Sequence, residues 1–236
     1  MNVIILPTPD ALARYAAGYV AEEIRRYETG RVNLGLAGGS TPKAMYQHLA
    51  DADLEWDRID VWLSDERWVP ADHEDSNANL ARTHLDAPAA FHFPTYDSED
   101  HPHAAAAAHS GQLRTLIGDS PGPHIVLLGI GDDAHTASLF PGTDALEHDG
   151  EAYVANWVES KQVWRLTATI PLLHAADHLI FLVSGSEKAA ALAAILEGDQ
   201  PLPAKSVADG AKKVTWLIDE AAAMHLKTTK LTRLFA

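Results

Sequence analysis

Short, continuously apolar runs rich in β-branched residues recur along this chain, with longer segments of helical spacing between them. The runs fall at residues 3–6, 32–36, 59–63, 125–128, 179–183 and 214–218. A strand that is apolar at every position must be covered on both faces, as strands in parallel sheets are. The intervening segments supply the cover. Residues 10–27 place Leu12, Tyr15, Tyr19 and Ile24 near helical spacing, with Gly30 beyond to end the helix. Residues 42–49 follow Thr41 as an N-cap, with Pro42 at the first helical position. Further helices are predicted at 77–84, 104–117 and 187–196, and a short one after the last strand. Five consecutive alanines from Ala104 cost little in a helix. Residues 153–158 and 163–169 read as a pair of extended segments. The alternation predicts an α/β fold: a doubly wound, mostly parallel sheet with helices on both faces, Rossmann-like in layout. Residues 64–103 are loop-rich. The stretch 86–103, rich in Ser, Pro and His, reads as an excursion from the core rather than a domain boundary, and the length of the chain leaves room for a small extra lobe. No internal repeat or clear linker interrupts the pattern, so residues 1–236 read as a single α/β domain.

With 236 residues, 47% of them hydrophobic, the chain can bury one sizeable core. Its 33 acidic residues outnumber 18 Lys and Arg, for a formal charge of -15. A nucleic acid or an anionic membrane demands a basic face, so neither is expected as a partner. The absence of cysteine excludes disulfides, thiolate metal sites and a cysteine nucleophile. The first apolar run spans only residues 3–6, too short for a signal peptide, and none approaches the ~18 residues of a membrane span. These features fit a cytoplasmic protein.

Four predicted strands run directly into polar loops: AGGSTPK (37–43), SDERWVP (64–70), GIGDDAHTASLFPG (129–142) and SGSEK (184–188). Open α/β sheets bind ligands beyond the carboxyl ends of their strands, so alternation alone brings these loops to one edge. In the first, Gly38 and Gly39 permit a tight turn and close approach of a ligand. Exposed amides at the helix start favour an anion, with the Ser40 and Thr41 hydroxyls as extra donors. The same residues also suit a plain capped helix start, and the Walker spacing is absent. In the second loop, Asp65, Glu66 and Arg67 can hold sugar hydroxyls and an anion, or form an ordinary surface ion pair. In the fourth, Lys188 either reaches over the sheet edge towards an anion or is simply solvated.

The third loop is the most informative. His135 follows Asp133 by two residues at a strand end. A neutral imidazole there can accept a proton while a nearby carboxylate orients it. A lone histidine among 13 is more often structural, and it is the glycine turn and the strand-end position that raise this one. Residues 129–134 also match the dinucleotide pattern G-x-G-x-x-[GA]. That reading is set aside because the motif is mid-chain and two aspartates would crowd a pyrophosphate. His101, His103 and His109 lack a recognised ligand spacing and read as solvated loop residues. Tyr15, Tyr19, Trp62 and Trp216 read as core.

Taken together, LAGGSTP (36–42), DVWLSDERWVPADHEDSNANLAR (60–82), GIGDDAHTASLFPGT (129–143), RLTATIPLL (165–173) and FLVSGSEKAAAL (181–192) resemble the 6-phosphogluconolactonase family, within the sugar-phosphate isomerase and deaminase superfamily. The segments span nearly the whole chain in the family's order. The resemblance implies a doubly wound fold and hydrolysis of 6-phosphoglucono-1,5-lactone, with neither cofactor nor metal. It implies His135 as general base with Asp133 as its neighbour. It also implies that Arg67, Arg165 and Lys188 hold the substrate beside Gly39, Ser40 and Thr41. The expected partner is a small sugar phosphate, and the expected state a monomer or homodimer. Ala134 stands where the family reads glycine, which is awkward if that position needs φ > 0. The resemblance gives Lys205 no clear role. A glucosamine-6-phosphate deaminase on the same scaffold is the nearest alternative, but it continues H-I-A-F-N-E-P where this chain reads His135 to Pro141 without an acid. A non-catalytic sugar-phosphate sensor is a second alternative, although no helix-turn-helix segment is left over to serve it.

Overall fold

A computed structural model describes residues 2–98, 101–227 and 232–234. In chain order the elements are β1 (Asn2–Leu6), α1 (Pro9–Arg25), β2 (Val32–Leu36), α2 (Ser40–Ala50), β3 (Ile59–Leu63), β4 (Asp65–Arg67), α3 (Asn77–His84), β5 (Ala90–Phe91), α4 (Pro102–Ile117), β6 (Ile125–Leu128), β7 (Tyr153–Val158), β8 (Val163–Ala168), α5 (Ile170–Ala175), β9 (His178–Val183), α6 (Ala189–Glu197), α7 (Pro203–Gly210), β10 (Val214–Asp219) and β11 (Thr232–Arg233). Eight strands form a parallel sheet in the order β11-β1-β10-β9-β6-β2-β3-β5, as the continuous apolar runs require. Successive side chains of each strand enter opposite layers. Val3 and Ile5 join one core with Leu113, Leu192 and Val207, whereas Ile4 and Leu6 join the other with Leu12, Met45 and Leu49. Trp62 and Trp216 are fully buried core residues, as expected.

A second, three-stranded antiparallel sheet, β4-β8-β7, provides the small extra lobe. It hangs from the end of β3. The Ser64 amide donates to the Leu36 carbonyl at 2.7 Å, and the Ser64 carbonyl accepts the Ala168 amide at 2.8 Å. The lobe is built from residues 65–67 and 153–168. The stretch 86–103 contributes β5, an edge strand paired with β3.

Several local expectations are corrected. The second helix begins at Ser40, with Gly39 (φ 107°) as its N-cap, so Thr41 lies inside the first turn. A glycine in that conformation starts the helix two residues earlier than a Thr41 cap would. The first helix ends at Arg25, well before Gly30. The chain after β10 turns around the Asp219 carboxylate, which accepts the Ala222 amide, instead of forming a short helix. His101 and His103 belong to the start of α4, and His109 is buried on it against the Tyr153 ring, 4.7 Å between centroids. It is not a solvated loop residue.

His109 and His178 give the fold an acid limit. Burial pushes both imidazoles from the ordinary 6.5 down to about 4. His178 also bridges Glu23 and Thr215, each at 2.9 Å. A depressed histidine binds its proton in the unfolded chain first, so stability is complete above about pH 6.5 and falls as pH drops towards 4. Urea unfolding at pH 7.5 and pH 4.5 should differ by on the order of 3 kcal/mol. This is discounted from the full shifts because water and charged neighbours relax around a protonated ring. A flat stability profile across that interval would contradict the buried, neutral state of both residues.

Candidate active site

The carboxyl ends of β2, β3, β6 and β9 open onto a cleft of about 370 Å³. Gly38, Gly39, Ser40, Thr41, Asp65, Arg67, His135, Arg165 and Lys188 all line it, so residues from 38 to 188 in sequence meet at one place. The parallel sheet accounts for the four loops. Arg165 arrives differently, on β8 of the antiparallel lobe, which folds over the cleft as a wall.

The β2 loop is held tightly. The buried Tyr46 hydroxyl on α2 donates to the Ala37 carbonyl at 2.6 Å. Asn77 packs directly on Gly38, where any Cβ would overlap its side-chain amide. Asn77 in turn donates to the Asp65 carbonyl at 2.8 Å. Of the acidic pair in the second loop, only Asp65 lines the cleft. One of its carboxylate oxygens accepts the Ser138 hydroxyl at 2.7 Å. Glu66 is buried away from it and serves structure. Its carboxylate accepts the backbone amides of Arg67, Asn77 and Ala78 and the Ser76 hydroxyl, capping α3. Burial nevertheless pushes the Glu66 carboxyl above its ordinary value.

His135 is fixed at four points. Its Nδ1 lies 2.5 Å from Asp133 Oδ1, and its backbone amide donates to the same oxygen at 3.1 Å. Its carbonyl accepts the Gly131 amide at 2.8 Å, and its ring stacks on Phe140 with centroids 4.0 Å apart. With Nδ1 engaged by Asp133, Nε2 is the nitrogen left to the cleft. Burial disfavours the charge on Asp133, but the hydrogen bonds from His135 outweigh it and hold the carboxyl below its ordinary value. Asp133 stands behind the ring, and Asp132 lines the cleft in its place. Gly131 is required here, because a Cβ would collide with the His135 ring and the Asp133 carboxylate. The dinucleotide pattern finds no support. The residues after β6 turn through this loop, and the next α-helix in the chain is α5.

Ala134 adopts φ 65°, the left-handed conformation its glycine-like position suggested, and Ala137 follows at 48°. Such geometry costs a non-glycine residue about 1–2 kcal/mol. The loop is held from outside. The Ala134 carbonyl accepts the Ala204 amide at 3.1 Å from the first turn of α7, and its methyl is buried. Lys205, on that same helix, pairs with Asp209 at 3.0 Å and does not line the cleft.

The cations have little local neutralisation. Arg67 and Arg165 are directly paired residues across β4 and β8. The Nε of each is buried and has no hydrogen-bond partner among the described residues. Burial lowers the Arg165 pKa from its usual value, and Arg67 adds to this while Asp65 opposes it. Lys188 rides on a short 3-10 turn, Ser186–Lys188, preceded by Gly185 at φ 99°. Buried Asp219 pins that turn by accepting the Ser184 hydroxyl at 2.6 Å and the Gly185 amide at 3.2 Å.

Sequence reasoning gave no role to Asn77, Ser138, Phe140, Lys161 or Glu187, all of which line the cleft. Asn77 lies inside the 60–82 segment and Ser138 and Phe140 inside the 129–143 segment that carry the family resemblance, so a signal was present for them. Lys161 carried none, because it comes from the β7–β8 hairpin tip.

This architecture defines an α/β protein with cationic side chains and an oriented imidazole gathered in one cleft at its strand ends. The family model for glucosamine-6-phosphate isomerases/6-phosphogluconolactonase matches residues 7–216. A 6-phosphogluconolactonase from Nostoc is 37% identical over 95% of this chain and 98% of its own length. The structure of 6-phosphogluconolactonase from Trypanosoma cruzi superimposes with a TM-score of 0.86 at 28% identity, covering 96% and 97% of the two chains. A monomeric glucosamine-6-phosphate deaminase also superimposes, with a TM-score of 0.79 at 27% identity over 95% of this chain and 100% of that one. The chain belongs to the glucosamine-6-phosphate isomerase/6-phosphogluconolactonase family.

Proposed function

We propose that this protein is a 6-phosphogluconolactonase, hydrolysing 6-phosphoglucono-1,5-lactone to 6-phosphogluconate in the oxidative pentose phosphate pathway. The observation that carries this reading is the pairing of an Asp133-oriented imidazole with cations that form no salt bridge among the described residues, in one cleft of an otherwise acidic protein. His135 Nε2 takes a proton from water as the oxygen attacks the lactone carbonyl. The protonated ring then returns that proton to the departing ring oxygen. Asp133 holds the ring orientation and stabilises its charged form. The phosphate, near -2 at neutral pH, is held by Arg67, Arg165 and Lys188. Gly38, Gly39, Ser40 and Thr41 at the start of α2 offer amides and hydroxyls to anionic oxygens, and Asp65 accepts sugar hydroxyls. Binding the remote phosphate fixes the carbonyl beside the base. No helix is long and apolar enough to cross a membrane among the described residues. The protein is proposed to act in the cytoplasm, as a monomer or homodimer, on a small sugar phosphate, with no nucleic-acid or membrane partner.

The deaminase reading requires a further acid after the histidine, because ring opening and proton transfer between carbons need more than one placed group. The corresponding stretch holds Leu139 and Phe140, both buried, and Phe140 is occupied in stacking on His135. The test is a pair of assays on one preparation. Lactone generated in situ should hydrolyse well above the spontaneous rate, and glucosamine 6-phosphate should release no detectable ammonia. Ammonia release without lactone hydrolysis above background would transfer the site to the sister activity.

A further inference from the structure

Lys161 belongs to the cleft by geometry alone. It ends the short turn Glu159–Lys161 at the tip of the β7–β8 hairpin and lines the same space as His135, Arg165 and Lys188. Its Nζ stands 5.8 Å from the centre of the Phe140 ring, and that ring is stacked on His135. Lys161 is exposed, whereas Arg67, Arg165 and Lys188 are half-buried. It forms no salt bridge among the described residues. That is notable in a chain where acidic residues outnumber Lys and Arg by 33 to 18.

The nearest carboxylate in sequence is already engaged. Glu159 accepts the Trp157 indole at 2.6 Å on one oxygen and the Gln162 side chain at 2.8 Å on the other. Gln162 also donates to the Glu159 carbonyl at 3.0 Å and takes the left-handed conformation that turns the chain back into β8. The tip is thus fastened through neutral donors, and the ammonium is presented free at the rim. Asp132 and Glu187 also line the cleft, so an incoming dianion meets negative charge there as well.

We propose that Lys161 is the capture cation of this site. It contacts the phosphorylated ligand at the cleft mouth, drawing the dianion past the acidic rim towards the half-buried arginines, and takes no part in the chemical step. This rests on the sugar-phosphate reading above, so the experiment reads binding as well as turnover. Binding of 6-phosphogluconate to wild type, Lys161→Gln and Lys161→Arg is measured by calorimetry at several ionic strengths, together with kcat and KM on the lactone.

Lys161→Gln should weaken binding about 3- to 10-fold at low salt, the scale of one exposed cation facing a dianion. The difference should shrink as ionic strength rises, because exposed charges are screened. The value of kcat should remain within about 2-fold, and Lys161→Arg should restore binding, as a capture role by charge requires. Unchanged affinity in Lys161→Gln, a loss independent of salt, a matching fall in kcat, or failure of arginine to rescue would each overturn the assignment. If wild type binds 6-phosphogluconate in this salt-dependent way yet hydrolyses no lactone, the capture role survives and the catalytic reading falls. If it does not bind the compound at all, both fall.

Discussion

Replacing His135 by asparagine is expected to lower kcat for lactone hydrolysis by roughly 10²- to 10⁴-fold, the usual scale for loss of a general base. Binding of 6-phosphogluconate should change little. The reason lies in how the side chain is held. Asp133 takes Nδ1 at 2.5 Å and Phe140 supports the ring face, so Nε2 is the basic atom the cleft receives. An asparagine amide can preserve the contact to Asp133 but has no basic nitrogen to accept a proton. Asp133→Asn should do less damage, because it disturbs orientation and leaves the base in place. The measurement is single-preparation kinetics above the spontaneous rate, with product affinity as the check on folding. Near wild-type turnover in His135→Asn would remove the histidine from the mechanism. Loss of binding together with turnover would indicate a collapsed loop instead.

The loop that presents His135 shows what a sequence can reveal and what it cannot. Its position after a buried strand was legible because β6 is apolar at every residue and is followed at once by Gly129. So was the risk at Ala134, now seen at φ 65°. What holds that strained residue was hidden. The Ala204 amide comes from α7, an eight-residue helix containing Lys, Ser, Asp and Gly, whose periodicity is too short to register. The three-residue β4 and two-residue β5 escaped notice for the same reason. Local signals placed the glycine loop, Asp65, His135 and Lys188 at one sheet edge. Lys161 was invisible because only the return of a hairpin brings it to the cleft. Glu66 was misjudged because its partners, the first amides of α3, lie up to 12 residues further on. Pattern reading recovers what the parallel sheet aligns, and it misses what the antiparallel lobe folds back.

Arg165 is the clearest product of that lobe, and removing it should have the second largest effect. Pairing β4 with β8 sets Arg67 opposite Arg165, residues nearly a hundred positions apart. Like charges directly opposite on a sheet are destabilising, and both arginines leave a buried Nε without a partner among the described residues. Burial makes the charge on Arg165 costly, more than the attraction of Asp65 offsets, and Arg67 adds a smaller repulsion. A dianion bound between the two guanidiniums would reverse that balance, since arginine binds phosphate through paired charged hydrogen bonds. Arg165→Ala should therefore raise KM for the phosphorylated lactone by about 10²-fold, from the loss of a charge-assisted pair worth roughly 3 kcal/mol. It should affect plain gluconolactone far less. Thermal unfolding separates this from an ordinary structural role. Without ligand, the variant should melt at or slightly above the wild-type temperature, because the burial cost of a charged guanidinium has been removed. With saturating 6-phosphogluconate, wild type should gain stability according to its affinity while the variant gains almost none. A variant that is destabilised without ligand and keeps the wild-type ligand response would make Arg165 part of the scaffold and move the phosphate elsewhere in the cleft.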